Sequence, residues 1–345
     1  SPDAVAQALE TLQREASLLG LELNLGKLCN NRCVFCLDGR APAESRRWVP
    51  LDRALGELRA ARRDGARALG LLGGEPTAHP QIVELVEAAR ELGFARISVS
   101  TNALKLADRA FADRLVDAGV TRFSVSIHDH RADVEDALTG RSGNFDTKLA
   151  ALGHLRELRR QGRLPDNVSI NPVIHSHNVD QLAQLVAFFA ERGLRDQRFN
   201  LIRTDACPDR GPELTPRLDP ITRAVTGTVA LALRSRGAIQ VSFGDLPLCA
   251  YPWEVLSEPR LARQVVGEAR DLDTWVSVFM APLDREREAS RFHWVDRKRD
   301  ALKIQPDDPC GDCKLRQACE GIWRSYVQVH GCGDLTAQRA VPRWR

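Results

Sequence analysis

No apolar run in this chain of 345 residues approaches the length of a membrane-crossing helix, which needs about twenty predominantly apolar residues. The opening stretch SPDAVAQALETLQREASLLG lacks the apolar centre of a secretory signal and reads as an amphipathic helix instead. Basic tracts are missing too. Lys and Arg number 49 against 46 Asp and Glu, a formal charge of +3, and the two signs are interspersed. With no basic–aromatic stripe, nothing in the sequence calls for nucleic acid as a partner. Nine cysteines are too few for a disulfide scaffold at this length. They are nevertheless clustered, at 29, 33 and 36 and again at 310, 313, 319 and 332, with Cys207 and Cys249 apart. Clustered thiols without an export signal point to metal or redox work in a reducing, cytoplasmic setting.

What the chain does have is alternation. β-rich runs LELNL (21–25), ARALGLL (66–72), ARISVS (95–100), RFSVSI (122–127), NVSINPVI (167–174) and RFNLI (198–202) are separated by helix-like stretches. In one of these, Ile82, Leu85, Val86 and Ala89 recur at helical spacing. Strand then helix, repeated six times, predicts an α/β fold with a mostly parallel sheet, doubly wound or barrel-like. A further helix (219–236) and strand AIQVSF (238–243) are expected to end this core. Beyond about residue 245 the pattern becomes irregular. TWVSVF (274–279) and RFHWVDRKRDALKI (291–304) read as β-structure, the second as a hairpin turning at its charged centre. Cysteine-rich CGDCKLRQAC follows. Such an appendage needs more than a hydrophobic core to hold it. The expected division is a helical extension over 1–19, a core over 20–245 and a smaller domain over 246–345.

CNNRCVFC (29–36) follows directly on the first strand, and in α/β proteins ligands gather at the carboxyl ends of strands. Three thiolates in a tight loop suit iron or zinc. Zinc would require a fourth ligand, for which Asp38 is a poor candidate. A thioredoxin-like pair needs only Cys33 and Cys36, and inert packing of three cysteines in eight residues is a further reading. If the body is an iron–sulfur cluster, its fourth iron is free to bind a small molecule. LLGGEPTAHP (71–80) ends the second strand. There Gly73 and Gly74 permit close backbone approach, Glu75 can accept from a bound ammonium, and Pro76 can open the helical segment.

With these two motifs in successive strand–helix units, residues 20–205 resemble the radical S-adenosylmethionine (radical SAM) superfamily. CNNRCVFC is similar to its CxxxCxxC signature, with Phe35 as the usual aromatic companion, and GGEPT is similar to its GGE motif. The resemblance implies a partial (β/α)6 TIM-like barrel. It also implies a 4Fe–4S cluster on Cys29, Cys33 and Cys36, and SAM held by Gly73, Gly74 and Glu75. Asn102 in VSTNA, Ser126 and His128 in SVSIHD, Asn171 and Arg203 take family positions at strand ends where SAM is contacted. Ala103 stands where the family commonly has Gly. Reductive cleavage of SAM to a 5′-deoxyadenosyl radical, hydrogen abstraction from a substrate, and an external one-electron donor such as flavodoxin or ferredoxin are implied with them. Such chemistry requires no Ser-His-Asp arrangement or carboxylate pair.

CxxCx5C at Cys310, Cys313 and Cys319 is similar to part of the SPASM and twitch appendages of that superfamily. The resemblance implies one auxiliary 4Fe–4S cluster, with Cys249 as fourth ligand and Cys332 as its rival; zinc remains open. Enzymes with such an appendage oxidise or crosslink peptide side chains, and others act on small metabolites. Both substrate classes are therefore expected, the peptide first. An iron–sulfur protein that only carries electrons or serves as a scaffold is the reading from another class.

Overall fold

The hydrophobic patterning is realised as strand–helix alternation. A computed structural model describes residues 20–267, 276–279, 290–292 and 294–338; the helix expected over 1–19 lies outside them. In chain order the main elements begin with β1 (Gly20–Asn24), α1 (Leu51–Arg63), β2 (Ala68–Leu72), α2 (Ile82–Glu91) and β3 (Arg96–Thr101). Next come α3 (Arg109–Ala118), β4 (Arg122–Val125), α4 (Ala132–Thr139), α5 (Asn144–Arg160) and β5 (Val168–Ile170). The chain continues through β6 (Val173–Ile174), α6 (Leu182–Glu191), β7 (Asp196–Leu201), α7 (Leu218–Arg234) and β8 (Gln240–Gly244). It ends with β9 (Val276–Phe279), β10 (Ser290–Phe292), β11 (Lys303–Ile304), β12 (Ile322–Trp323) and α8 (Arg324–His330).

The chain forms two compact units, and they do not follow the order of the sequence. Of the described residues, one unit comprises 20–171, 276–279 and 290–292. In it β1 to β5 lie side by side and parallel, each paired with the next. β9 extends the sheet as a parallel neighbour of β1, and β10 pairs antiparallel with β9. Leu23, Leu71, Val99 and Val125 are fully buried, as expected when helices cover a parallel sheet. Helix α2 buries the stripe read from the sequence, Ile82, Leu85, Val86 and Ala89.

Of the described residues, the other unit holds 172–267 and 294–338. Here β6, β7 and β8 are parallel, with β7 paired to both others, and β11 and β12 form a short antiparallel pair. Two expectations are corrected. The run 167–174 is not one strand: β5 stops at Ile170 and β6 starts at Val173. Pro172, which lies between them, has no N–H to give a ladder. Residues 291–304 do not form a hairpin either. Trp294–Arg297 is helical, Lys298–Leu302 is a π-helical turn, and Lys303 pairs with Trp323 of β12. The charged centre fails as a solvent-facing turn because Lys298 is drawn inward, 3.0 Å from Glu320 and 3.2 Å from Asp245.

One buried ion pair organises the exit from β4. Lys148 of α5 and Glu135 of α4 are both fully buried and meet at 2.6 Å. Glu135 also accepts from the backbone amides of His128 (2.7 Å) and Asp129 (3.0 Å), while Lys148 Nζ donates to the Ser126 carbonyl at 2.8 Å. Removing one partner of such a pair leaves an uncompensated charge and costs about 3–5 kcal/mol. Lys148→Met should lower unfolding free energy in urea by about that amount. Adding Glu135→Gln, which keeps an acceptor and discards the charge, should recover about 1 kcal/mol or more. A loss well below 1 kcal/mol in the single variant would contradict this account.

Candidate functional site

The loop 29–36 is held from two sides. On one, the turn after β2 lies against the segment that leads into Cys29: Gly74 N–H donates to Gly26 O at 2.7 Å and Glu75 N–H to Leu28 O at 2.8 Å. The approach leaves no room for side chains. A Cβ on Gly74 would sit 2.1 Å from Leu28 O, and one on Gly73 2.7 Å from Gly26 O. On the other side, Arg32 N–H donates to Thr139 O (3.3 Å) and Val34 N–H to Leu138 O (2.9 Å), at the end of α4. Asn31 Oδ1 accepts from Asn144 Nδ2 at 2.9 Å.

The three thiols are close enough that charge on Cys36 raises the pKa of both Cys29 and Cys33. Burial is the larger cause and pushes Cys29 up to about 11 and Cys33 up to about 12. As folded, the loop therefore presents neutral thiols. Their conversion to thiolates needs a cationic body between them, whose binding releases the protons. Two sulfurs already receive backbone donors, Cys29 from Asn31 N–H and Cys36 from Gly39 N–H, both at 3.4 Å. Hydrogen bonds to sulfur are a lever on the potential of an iron–sulfur cluster. Among the described residues, no three His, Cys, Asp or Glu side chains are arranged to hold a single metal ion.

Glu75 is buried, and its carboxylate is largely engaged by its own chain. Oε1 accepts from Thr77 N–H (3.0 Å), Thr77 Oγ1 (2.5 Å) and Thr101 Oγ1 (2.6 Å), and Oε2 accepts from Asn102 N–H at 2.6 Å. It thereby ties the end of β2 to the end of β3, and acceptance of an ammonium would draw chiefly on Oε2. Asn102 in turn bonds Asn30 Oδ1 at 2.8 Å and reaches Cys29 Sγ at 3.6 Å. The next residue, Ala103, is left-handed at φ 62°, the conformation that glycine adopts freely.

The other strand-end residues are placed as follows. Ser126 N–H donates to Thr101 O, and Asn171 N–H to Val125 O, both at 2.8 Å. His128 is buried edge-on to Phe35, with ring centres 5.3 Å apart; burial first, then the nearby Lys148 charge, holds its pKa well below the ordinary histidine value. Arg203 belongs to the other compact unit. There it pairs with Asp205 at 2.7 Å and lies 5.2 Å over the Trp323 ring.

That second unit carries its own thiol site. Cys249, Cys310, Cys313 and Cys319 line one narrow pocket, with Leu248, Ile322 and Leu335 among its walls. Burial pushes Cys249 to about 12 and Cys310 to about 11, and neighbouring thiols add to both shifts. Cys319 Sγ accepts from Leu248 N–H (3.4 Å) and Gly321 N–H (3.3 Å). Cys332 lies near enough to raise Cys310 but is not among the lining residues. Cys207 is buried. Each thiol group fits a cluster by its donor chemistry, three sulfurs in one unit and four in the other.

Sequence reading missed the bracing residues. Asn30 and Asn31 look like loop filler but bond Asn102 and Asn144. Lys148 was signalled only by its place on the apolar stripe of α5, which includes Ala151, Leu152 and Leu155.

Residues 23–189 match the family model of the Radical SAM superfamily. Among curated proteins, similarity is found to the Probable GTP 3',8-cyclase of Metallosphaera sedula, 29% identical over 50% of this chain and 52% of that protein. The GTP 3',8-cyclase of Synechococcus elongatus is 33% identical over 53% of this chain and 55% of that protein. The PqqA peptide cyclase of Ruegeria pomeroyi is 31% identical over 48% and 42%. The chain thus spans about half the length of such relatives. Among solved structures, Streptococcus suis SuiB bound to S-adenosylmethionine aligns with a TM-score of 0.62 at 18% identity, over 91% of this chain and 74% of that one. Likeness at that identity shows the fold, an α/β partial TIM barrel.

Gly74→Ala tests the bracing directly. Its methyl group collides with the Leu28 carbonyl, one residue from Cys29, so the loop must move. Anaerobically reconstituted variant should lose the iron of one site and keep that of the other; full iron content would contradict the role given to this turn.

Proposed function

We propose that the chain, residues 23–189 of which match the Radical SAM superfamily model, is a member of that superfamily that cleaves SAM reductively at Cys29, Cys33 and Cys36 and turns the resulting radical on a peptide side chain. The superfamily's 4Fe–4S cluster and SAM together supply a 5′-deoxyadenosyl radical; the protein's part is geometry and exclusion of solvent. The single observation that carries the reading is the loop 29–36, clamped from two sides and holding three half-buried thiols with no fourth cysteine. Gly73 and Gly74 fix the backbone there, Glu75 and Asn102 hold the adjacent strand ends, and His128, kept neutral, closes the side next to Phe35. Gly73, Gly74, Glu75, Asn102, Ser126, His128 and Asn171 are proposed as the SAM-facing set within their own unit.

The second thiol pocket is proposed to hold an auxiliary 4Fe–4S cluster on Cys249, Cys310, Cys313 and Cys319, within a C-terminal domain beginning near residue 246. Those four thiolates would hold it, and when bound it would supply a one-electron acceptor, the chemistry that oxidation or crosslinking of a substrate requires. A peptide substrate is supported by likeness extending beyond residues 23–189: SuiB bound to precursor peptide SuiA aligns over 93% of this chain with a TM-score of 0.59. A second reading, action on a small metabolite, is supported by the several GTP 3',8-cyclases among the curated relatives. GTP-stimulated formation of 5′-deoxyadenosine, with conversion of the GTP, would decide for that reading.

Two variants separate the sites. Cys33→Ala should abolish reductant-dependent 5′-deoxyadenosine and lose one cluster's iron. Cys313→Ala should lose the other cluster's iron and keep uncoupled SAM cleavage. Unchanged iron in Cys313→Ala, or cleavage surviving in Cys33→Ala, would contradict the assignment.

A further inference from the structure

Cys319 has two faces. Inward it lines the four-thiol pocket; outward it forms part of the floor of a broad, open concavity lined also by Arg299, Lys303, Arg316, Gln317, Glu320 and Arg324. Ile304, Gln305 and Arg316 belong to both linings, so only a thin wall separates the thiols from this outer surface. The concavity is strongly positive. Its one acid, Glu320, is buried and engaged by Lys303 at 2.7 Å and Lys298 at 3.0 Å, which leaves the arginine charges without an offset inside it. Arg316 meets Asp307 only loosely, at 3.5 Å, and that carboxylate is fully exposed. Arg299 gives one N–H to the Gln317 carbonyl at 3.2 Å, while its buried Nε has no hydrogen-bond partner.

We infer that this basic concavity over Cys319 is the docking face for an acidic one-electron carrier protein, and that the electron taken up by the auxiliary cluster leaves through it. The inference rests on the auxiliary-cluster reading above. The step is a transfer of one electron from the reduced cluster to the oxidised carrier, which becomes one-electron reduced; no bond forms or breaks. A site for a small anion would need the positive charge alone. Its placement on the outer wall of one of the pocket thiols favours a carrier, because the shared wall offers the electron a short way out. Opposite charge on the two surfaces also steers encounter, raising association rates by about 10- to 1000-fold at low salt.

The test uses Cys33→Ala holoprotein, in which the auxiliary cluster is the remaining iron. The protein is reduced, freed of excess reductant and mixed with an acidic flavodoxin in its oxidised form, and appearance of the flavin semiquinone is followed by stopped flow. Adding Arg299→Gln and Arg324→Gln together, which leaves the lining of the thiol pocket intact, should slow the transfer about tenfold at low salt and flatten its salt dependence. Flavodoxin binding to otherwise wild-type protein, measured by biolayer interferometry, should weaken in parallel. Oxidation by a small uncharged quinone should be unchanged. Unaltered flavodoxin kinetics would overturn the inference, and so would equal slowing with the quinone, which would signify damage to the cluster. Inorganic phosphate binding that the arginine changes abolish, with flavodoxin transfer intact, would make the concavity a small-anion site. If Cys33→Ala protein retains no iron, the auxiliary-cluster reading itself falls, an outcome distinct from all of these.

Discussion

The close approach of the Gly73–Gly74 turn to residues 26–28 is the constraint on which the first site depends. Three half-buried thiols within eight residues are unfavourable as anions and have no reason to stay together unaided. Their loop stays in place because its backbone is clamped on one side by that turn and on the other by the end of α4. The clamp requires two positions without a Cβ. It also requires Glu75, whose carboxylate gathers donors from Thr77, Thr101 and Asn102, so that adjacent strand ends move as one body. Asn102 then passes the positioning to Asn30 and the Cys29 sulfur.

The second unit solves the same problem with charge. A small, irregular segment carries three of its four pocket thiols, and behind it Lys298, Lys303, Asp245 and Glu320 interlock in a largely buried network. A buried pair contributes little stability relative to an apolar core but is strongly destabilising when broken. Such a network suits a region whose folding is coupled to a metal body. The Lys303 charge also acts on Cys319, lowering its pKa against the larger effect of burial.

Much of this was legible in the sequence, and the limits have physical causes. The strand–helix alternation predicted the parallel strands because burial on both faces leaves dense apolar runs such as LGLL and ISVS. The cysteine spacing and the paired glycines marked the first site because few other chemistries need those residues so close together. Less visible were roles set by partners distant in sequence. Glu75 reads as a ligand group until Thr101 and Asn102 are seen to occupy most of it. Lys148 stands on the apolar stripe of α5 with nothing in the sequence to name Glu135 as its partner, and DRKRD reads as an exposed turn until Lys298 is found buried. Long side chains with charged ends follow local periodicity poorly, since their placement depends on the counter-charge that awaits them.

The central claim is that the two thiol groups hold clusters of different kinds, one open to SAM and one closed by its own chain. Electron–nuclear double resonance on the reduced holoprotein tests it most directly, using SAM isotopically labelled at the methionine amino nitrogen. The account predicts nuclear coupling to one of two paramagnetic clusters, lost in Cys33→Ala and retained in Cys313→Ala. Coupling to neither cluster, or its persistence in Cys33→Ala, would contradict it.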